Sequence, residues 1–142
     1  MGERDESLIQ KAGPFEPAGE WKAELEELQT RREMVLRMGG AEAVEKFCAR
    51  GRMHARRRIE TLLDSGTFRE FGRVAGKGHY DKEGHFQSLD PTNSIIGTGR
   101  VEGRKVAVQA DDYTIRAGSS ESAIADKWIY IERLAHQLRM PL

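Results

Sequence analysis

The sequence predicts an α/β fold in which amphipathic helices precede a strand, turn, strand, loop and helix, and three observations carry that prediction. The runs Ile95–Val101 and Val106–Ala110 are short and β-rich and flank Glu102-Gly103-Arg104, a spacing that makes a hairpin with Gly103 where positive φ is needed. Further on, Ile124, Trp128, Ile131, Ala135 and Leu138 recur at helical spacing, so one face of that helix must be buried. Before the hairpin, Trp21, Leu25, Leu28, Val35 and Met38 make a stripe close to a heptad between Glu20 and Met38, and Gly39-Gly40 stops it. The stripe serves either as a subunit contact or as packing onto the chain's own core; with fewer than three heptads, packing is the preferred reading.

At 142 residues the chain has one domain's length, enough to bury roughly 68–70% of its unfolded surface. Yet 38% hydrophobic and 32% charged residues make a thin core, which suits a piece that gains burial from further chain or a partner. Lysine plus arginine equals aspartate plus glutamate at 23 each, so no global field recruits nucleic acid or an anionic membrane. Single Cys48 excludes an intrachain disulfide and a cysteine-only zinc cage, and beside Phe47 in a helical run it reads as buried filler. The opening MGERDESLIQ is too charged for a signal peptide, and no apolar run approaches a membrane span. A cytoplasmic protein is expected, with no nucleic-acid or membrane partner.

Met1–Gly19, with Pro14, Pro17 and three glycines among charged residues, reads as a flexible arm. After the first helix, Ala41–Ala49 continues as a short helix using Val44 and Phe47 and ending at Gly51. Arg50, Arg52, Arg56, Arg57 and Arg58 then concentrate positive charge, while Ala55, Ile59, Leu62 and Leu63 face the interior. Helical spacing places Arg52 and Arg56 on one face, a turn apart. Such crowding needs a negative offset, either a bound anion or carboxylates such as Glu60, Asp64 and Glu70. A nucleic-acid partner fits poorly, because no aromatic residues interleave with the arginines.

Asp64-Ser65-Gly66 is a turn signal, and Phe68–Phe71 reads as the next strand. Residues 72–94 read as loop. His79, Asp81, His85 and Asp90 lie within it, but their spacing matches no standard ligand frame, so no metal site is expected. The hairpin delivers Ala117, Gly118, Ser119 and Ser120 onto a helix N-terminus, an arrangement that can offer backbone N–H groups to an anion. In the alternative reading Ser119 or Ser120 is simply the N-cap, with Glu121 in the first turn. Met140-Pro141-Leu142 resembles the start of another strand.

The stretch VEGRKVAVQADDYTIRAGSSESAIADKW resembles the N-terminal half of the carboxyltransferase (beta) subunit of biotin-dependent acyl-CoA carboxylases. Gly103, Arg104, Val106, Ala107, Val108, Asp112, Thr114, Gly118, Ser119 and Lys127 match that family's pattern, with Tyr113 in its aromatic place. RGRMHARRRIETLLDSGTFREF, from Arg50 to Phe71, resembles the family's basic segment before its first strand. The departures are Ala117 for the first loop glycine, Glu121 for a further glycine and Ile124 for a frequent histidine. Arg52 stands for lysine, Arg57 for glutamate, and His54 for a threonine whose loss weakens the expected helix cap.

The resemblance implies a partial crotonase-like α/β spiral of strand, strand and helix units preceded by N-terminal helices. It divides the chain into the arm at 1–19, a helical segment at 20–64, and at 65–142 the start of a carboxyltransferase domain cut short at Leu142. The activity implied is transfer of a carboxyl group from carboxybiotin to the α-carbon of an acyl-CoA through an enolate. Biotin would come on a separate carrier domain or subunit. The implied partners are acyl-CoA, biotin carboxyl carrier and biotin carboxylase subunits, and further subunits in a homo- or hetero-oligomer.

Arg52, Arg56, Gly118, Ser119, Ser120 and Lys127 are the expected CoA contacts. Lys127 is equally suited to a surface pairing with Asp126 or Glu132, and any one arginine to pairing with the chain's own acids. No catalytic residue is assigned. The alternatives are a noncatalytic or truncated assembly subunit and a component of a biotin-dependent acyl-CoA decarboxylase.

Overall fold

The computed structural model describes residues 21–119 and 125–142. The arm expected at 1–19, and Ser120, Glu121 and Ile124, lie outside the described residues. Three helices come first: α1 (Lys22–Leu36), α2 (Ala41–Cys48) and α3 (Ala55–Leu62). Five strands follow, β1 (Arg69–Phe71), β2 (Gly76–Tyr80), β3 (Phe86–Pro91), β4 (Ser94–Val101) and β5 (Arg104–Asp111), and then α4 (Ala125–Gln137). Strands β1, β4 and β5 form an antiparallel sheet in the order β1-β4-β5, while β2 and β3 pair separately.

The β4–β5 hairpin is as expected, and its turn is tighter than the spacing alone required. Val101 faces Arg104 across the ladder, and the two linking residues, Glu102 at φ 51° and Gly103 at φ 79°, both take the left-handed conformation of a type I′ turn. The Asp64 carboxylate accepts both turn N–H groups, from Glu102 at 3.0 Å and Gly103 at 2.8 Å. Asp64 therefore braces the hairpin and does not offset an arginine.

Successive β4 residues point to opposite faces. On one face Ile95 and Val108 pack with Ala55, Ile59 and Leu63 from and beside α3; on the other, Ile96 and Ala107 pack with Ile131 and Ala135 of α4. Between these layers two glycines of β4 give up their side-chain space. A Cβ on Gly97 would lie 2.4 Å from the Arg69 carbonyl oxygen, and one on Gly99 would lie 2.5 Å from Leu63 Cδ1.

Four expectations are corrected. Residues 72–94 contain the β2–β3 hairpin, hidden in the sequence because Gly76, Gly78 and Gly84 dilute an exposed two-stranded ribbon. This ribbon is covered by α1, whose Arg31 guanidinium lies 4.4 Å from the centre of the Phe86 ring while its Nε donates to Glu27 at 2.8 Å. The α1 stripe meets the chain only in part: Val35 is buried, Leu25, Leu28 and Met38 are half-buried, and Trp21 is 64% exposed. Cys48 is exposed, because Val44 and Phe47 take the inward face of α2 and the next position turns outward. Finally, His54 caps α3 in place of threonine, its Nδ1 accepting the Arg57 N–H at 3.3 Å. That bond requires a lone pair on Nδ1.

Candidate functional site

Between α2, α3 and β5 lies a groove of about 630 Å³ with Ile59 and Val108 in its apolar wall. Phe47 and Tyr113 meet at one side, ring centres 5.8 Å apart and planes tilted by 32°. Arg52 and Arg58 line it as well, and the Arg52 guanidinium lies 5.7 Å from the centre of the Phe47 ring. Asp111 is the groove's carboxylate, and burial raises its pKa above the ordinary aspartate value. Neither Arg52 nor Arg58 pairs with a carboxylate among the described residues.

The loop after β5 supports Tyr113. Arg116, Ala117 and Gly118 are all left-handed, at φ 47°, 52° and 78°, and this reverses the chain within three residues. A Cβ on Gly118 would lie 3.0 Å from Tyr113 Cδ2, so the glycine lets the ring lie against the loop. Before the loop, Asp112 is 1% exposed, and its Oδ1 accepts the Thr114 N–H at 2.9 Å and the Thr114 hydroxyl at 2.7 Å. This Asx-type closure fixes the strand end that carries Tyr113.

A second cluster centres on Glu70, whose side chain is 2% exposed. Arg56 donates to it through both terminal nitrogens, at 2.9 and 3.1 Å, and Arg73 Nε donates at 2.9 Å. Burial pushes the Glu70 carboxyl up, but the bonds and charges of Arg56 and then Arg73 outweigh that and hold it below the ordinary glutamate value. Nearby, Lys127 Nζ donates to the Ser94 carbonyl at 2.5 Å and to that of Gly72 at 3.2 Å. Burial lowers the Lys127 pKa, and the Glu70 charge only partly opposes it. Trp128 completes the attachment of α4, its indole N–H reaching Ser94 Oγ at 2.8 Å.

The expected CoA contacts thus divide between two places. Arg52 lines the groove, Gly118 lies behind its Tyr113 wall, and Ser119 is exposed after the left-handed turn; Ser120 is outside the described residues. Arg56 and Lys127 belong to the Glu70 cluster. Arg52 and Arg56 do not share a helical face, because α3 begins at Ala55 and Arg52 precedes its His54 cap. Lys127 holds two backbone carbonyls, not Asp126 or Glu132. The sequence reading missed Phe47, Arg58 and Asp111 as groove residues; the available signal was an aromatic near a helix end, followed by glycine and arginine.

Asp81, Glu83 and His85 converge at the β2–β3 turn. Asp81 is already engaged there: Oδ1 accepts the N–H groups of Glu83 and His85 at 3.0 and 2.8 Å, and Oδ2 accepts from Gln87 at 2.9 Å. It acts as the brace of that turn. Among the described residues no helix is long and apolar enough to cross a membrane.

Hairpin, sharp loop and covering helix, on a sheet with a second helix layer behind it, form a unit of the crotonase-like carboxyltransferase class. Residues 46–142 match the carboxyl transferase domain family, and the chain belongs to that family. It is 34% identical over 119 residues to the propionyl-CoA carboxylase carboxyltransferase subunit of Haloferax mediterranei, covering 83% of this chain and 23% of that protein. The propionyl-CoA carboxylase beta chain of Cereibacter sphaeroides is 35% identical over 120 residues, again covering 83% of this chain and 23% of the relative. Among solved structures, transcarboxylase 12S with methylmalonyl-coenzyme A and methylmalonic acid bound superposes with a TM-score of 0.66 at 25% identity, covering 85% of this chain and 23% of that one. The chain therefore spans about a quarter of the length of these relatives.

Proposed function

We propose that this chain is the CoA-handling front portion of a biotin-dependent carboxyltransferase. The observation that carries the reading is the family match over residues 46–142 together with a groove in that region whose arginines, among the described residues, lack carboxylate partners. A guanidinium on an apolar rim retains its donors for a phosphate, and a compact polyphosphate offers them charge-assisted bonds. In this reading Arg52 and Arg58 take the CoA phosphates, and Gly118 and Ser119 shape the wall behind Tyr113; Ser120 is proposed as a CoA contact on the family resemblance alone. Arg56 and Lys127 act at one remove, anchoring α3 and α4 to the sheet.

The reaction proposed for the whole enzyme exchanges a proton on the α-carbon of the acyl-CoA for a carboxyl group, forming a carbon–carbon bond there while the proton takes the place that the carboxyl group leaves on biotin. Biotin, on a separate carrier domain or subunit, supplies the carboxyl group, and no residue described here is assigned to hold it. The contribution of this chain is binding and orientation, the part of catalysis that sets two reactants at reacting distance. Biotin carboxylase and carrier subunits are the proposed partners, in an oligomer, and the cytoplasm is the proposed location.

The test is Arg52→Glu in the complete enzyme. Loss of a charge-assisted bond costs about 1.5–3 kcal/mol, so the apparent KM for acyl-CoA should rise roughly tenfold or more while kcat changes less. An unchanged KM removes Arg52 from the site. Failure of the unaltered enzyme to bind acyl-CoA while its subunits still associate would favour the assembly-subunit reading.

A further inference from the structure

Helix α2 carries one wall of the groove, yet none of its eight residues is fully buried. A helix that short is marginal by itself and is held by its packing, so the contacts at its two ends decide where it sits. Both ends reach the same pair of residues after β5. At the far end Phe47 meets Tyr113, and just before the first turn the Gly39 N–H donates to Thr114 Oγ1 at 3.1 Å. The approach at Gly39 is main chain against main chain. A Cβ there would lie 1.9 Å from the Thr114 carbonyl oxygen and 2.5 Å from its carbonyl carbon, so the contact exists only because residue 39 is glycine.

The carboxylate behind Thr114 gives this contact its direction. A carboxylate accepts and does not donate, so the Thr114 hydroxyl proton is committed to Asp112 Oδ1, and the lone pairs of Oγ1 are left for Gly39. Asp112 is tied in turn to the sheet, its N–H donating to the Asn93 carbonyl at 2.7 Å. An unbroken chain of bonds thus runs from the sheet through Asp112 and Thr114 to Gly39 and α2.

We propose that Thr114 and Gly39 are positioning residues of the groove. Neither lines it. They set α2 against the end of β5, which fixes the separation of the Phe47 and Tyr113 rings and, through Phe47, the place of the Arg52 guanidinium 5.7 Å from that ring. The effect on substrate rests on the CoA reading of the groove; the effect on the two rings does not.

Thr114→Val keeps the shape of the side chain and removes the hydroxyl, and Thr114→Ser restores the hydroxyl. The full chain is read by the NMR cross-peak between the Phe47 and Tyr113 side chains, and the complete enzyme by KM and kcat. Thr114→Val should lose the cross-peak and raise KM for acyl-CoA about threefold to tenfold, the range spanned by one hydrogen bond, while kcat stays within about twofold. Thr114→Ser should return both readouts to those of the unaltered protein. An unchanged cross-peak in Thr114→Val, or a serine variant as impaired as the valine one, overturns the proposal. If Thr114→Val fails to fold, amide exchange in the unaltered chain decides. A Gly39 N–H slowed about tenfold or more supports the proposal, and exchange at the rate of an exposed amide overturns it. Arg52→Glu separates the two readings. A raised KM there beside an unchanged KM in Thr114→Val overturns the positioning role alone, whereas an unchanged KM in Arg52→Glu removes the CoA reading and leaves the cross-peak to decide.

Discussion

The groove and the Glu70 cluster are both built around arginines that cross a boundary between polar and apolar surroundings, and they treat those arginines in opposite ways. At Glu70 a nearly buried carboxylate takes two bonds from Arg56 and one from Arg73. At the groove, Arg52 lies over an aromatic ring and Arg58 lines an apolar wall, with no carboxylate bound to either among the described residues. The contrast teaches that a run of basic residues is not one functional unit. Three consecutive arginines of α3 go to three destinations: Arg56 inward to Glu70, Arg57 to a surface pair with Glu60, and Arg58 to the groove.

The hardest test of this contrast is to remove Glu70. Taking one partner from a buried ion pair costs about 3–5 kcal/mol, so Glu70→Ala should lose that much in urea unfolding; a loss comparable to a surface substitution would erase the distinction. The same carboxylate predicts a pH signature. Its folded pKa is lower than its ordinary 4.5, so the unfolded chain takes up the proton first as pH falls. The stabilisation is full above that ordinary value and is lost as pH descends through the folded pKa. Unfolding midpoints at pH 7 and pH 3 should diverge strongly in the unaltered chain and much less in Glu70→Gln.

A smaller effect is expected in the loop that supports the groove. Ala117 holds a left-handed conformation that costs an L-residue about 1–2 kcal/mol, so Ala117→Gly should raise stability by about 1 kcal/mol. An unchanged or lowered midpoint would mean that the loop draws compensation from the methyl group. The smallest change should come from Arg57→Ala. Its pair with Glu60, at 3.5 Å and largely exposed, should be worth less than about 0.5 kcal/mol, although Arg57 is next in sequence to Arg56.

Local chemistry was legible in the sequence; long-range pairing was not. The β4–β5 hairpin could be read because Glu102-Gly103 carries its own turn signal, and α4 because Trp128, Ile131 and Ala135 repeat at its period. Glu70 could be named as an offset for the arginines, but composition could not say that it would choose Arg56 and Arg73 while Asp64 turned to two backbone N–H groups. The groove escaped because Phe47 and Tyr113 lie far apart in the chain and each reads as ordinary packing. The β2–β3 ribbon escaped because its glycines outweighed a short alternating pattern, and its cover comes from α1. The family resemblance supplied what local chemistry lacked, the order in which these pieces assemble.

Gly99 gives up its side-chain space to Leu63: the leucine methyls already stand where a Cβ on that strand residue would be. In evolutionary terms the two positions share a single allotment of volume. A lineage that enlarges residue 99 must turn or shrink the side chain at residue 63, because a larger residue there crowds the layer that Leu63 shares with Ile59 and Val108. The surface that β4 presents to α3 therefore drifts most easily by paired exchange.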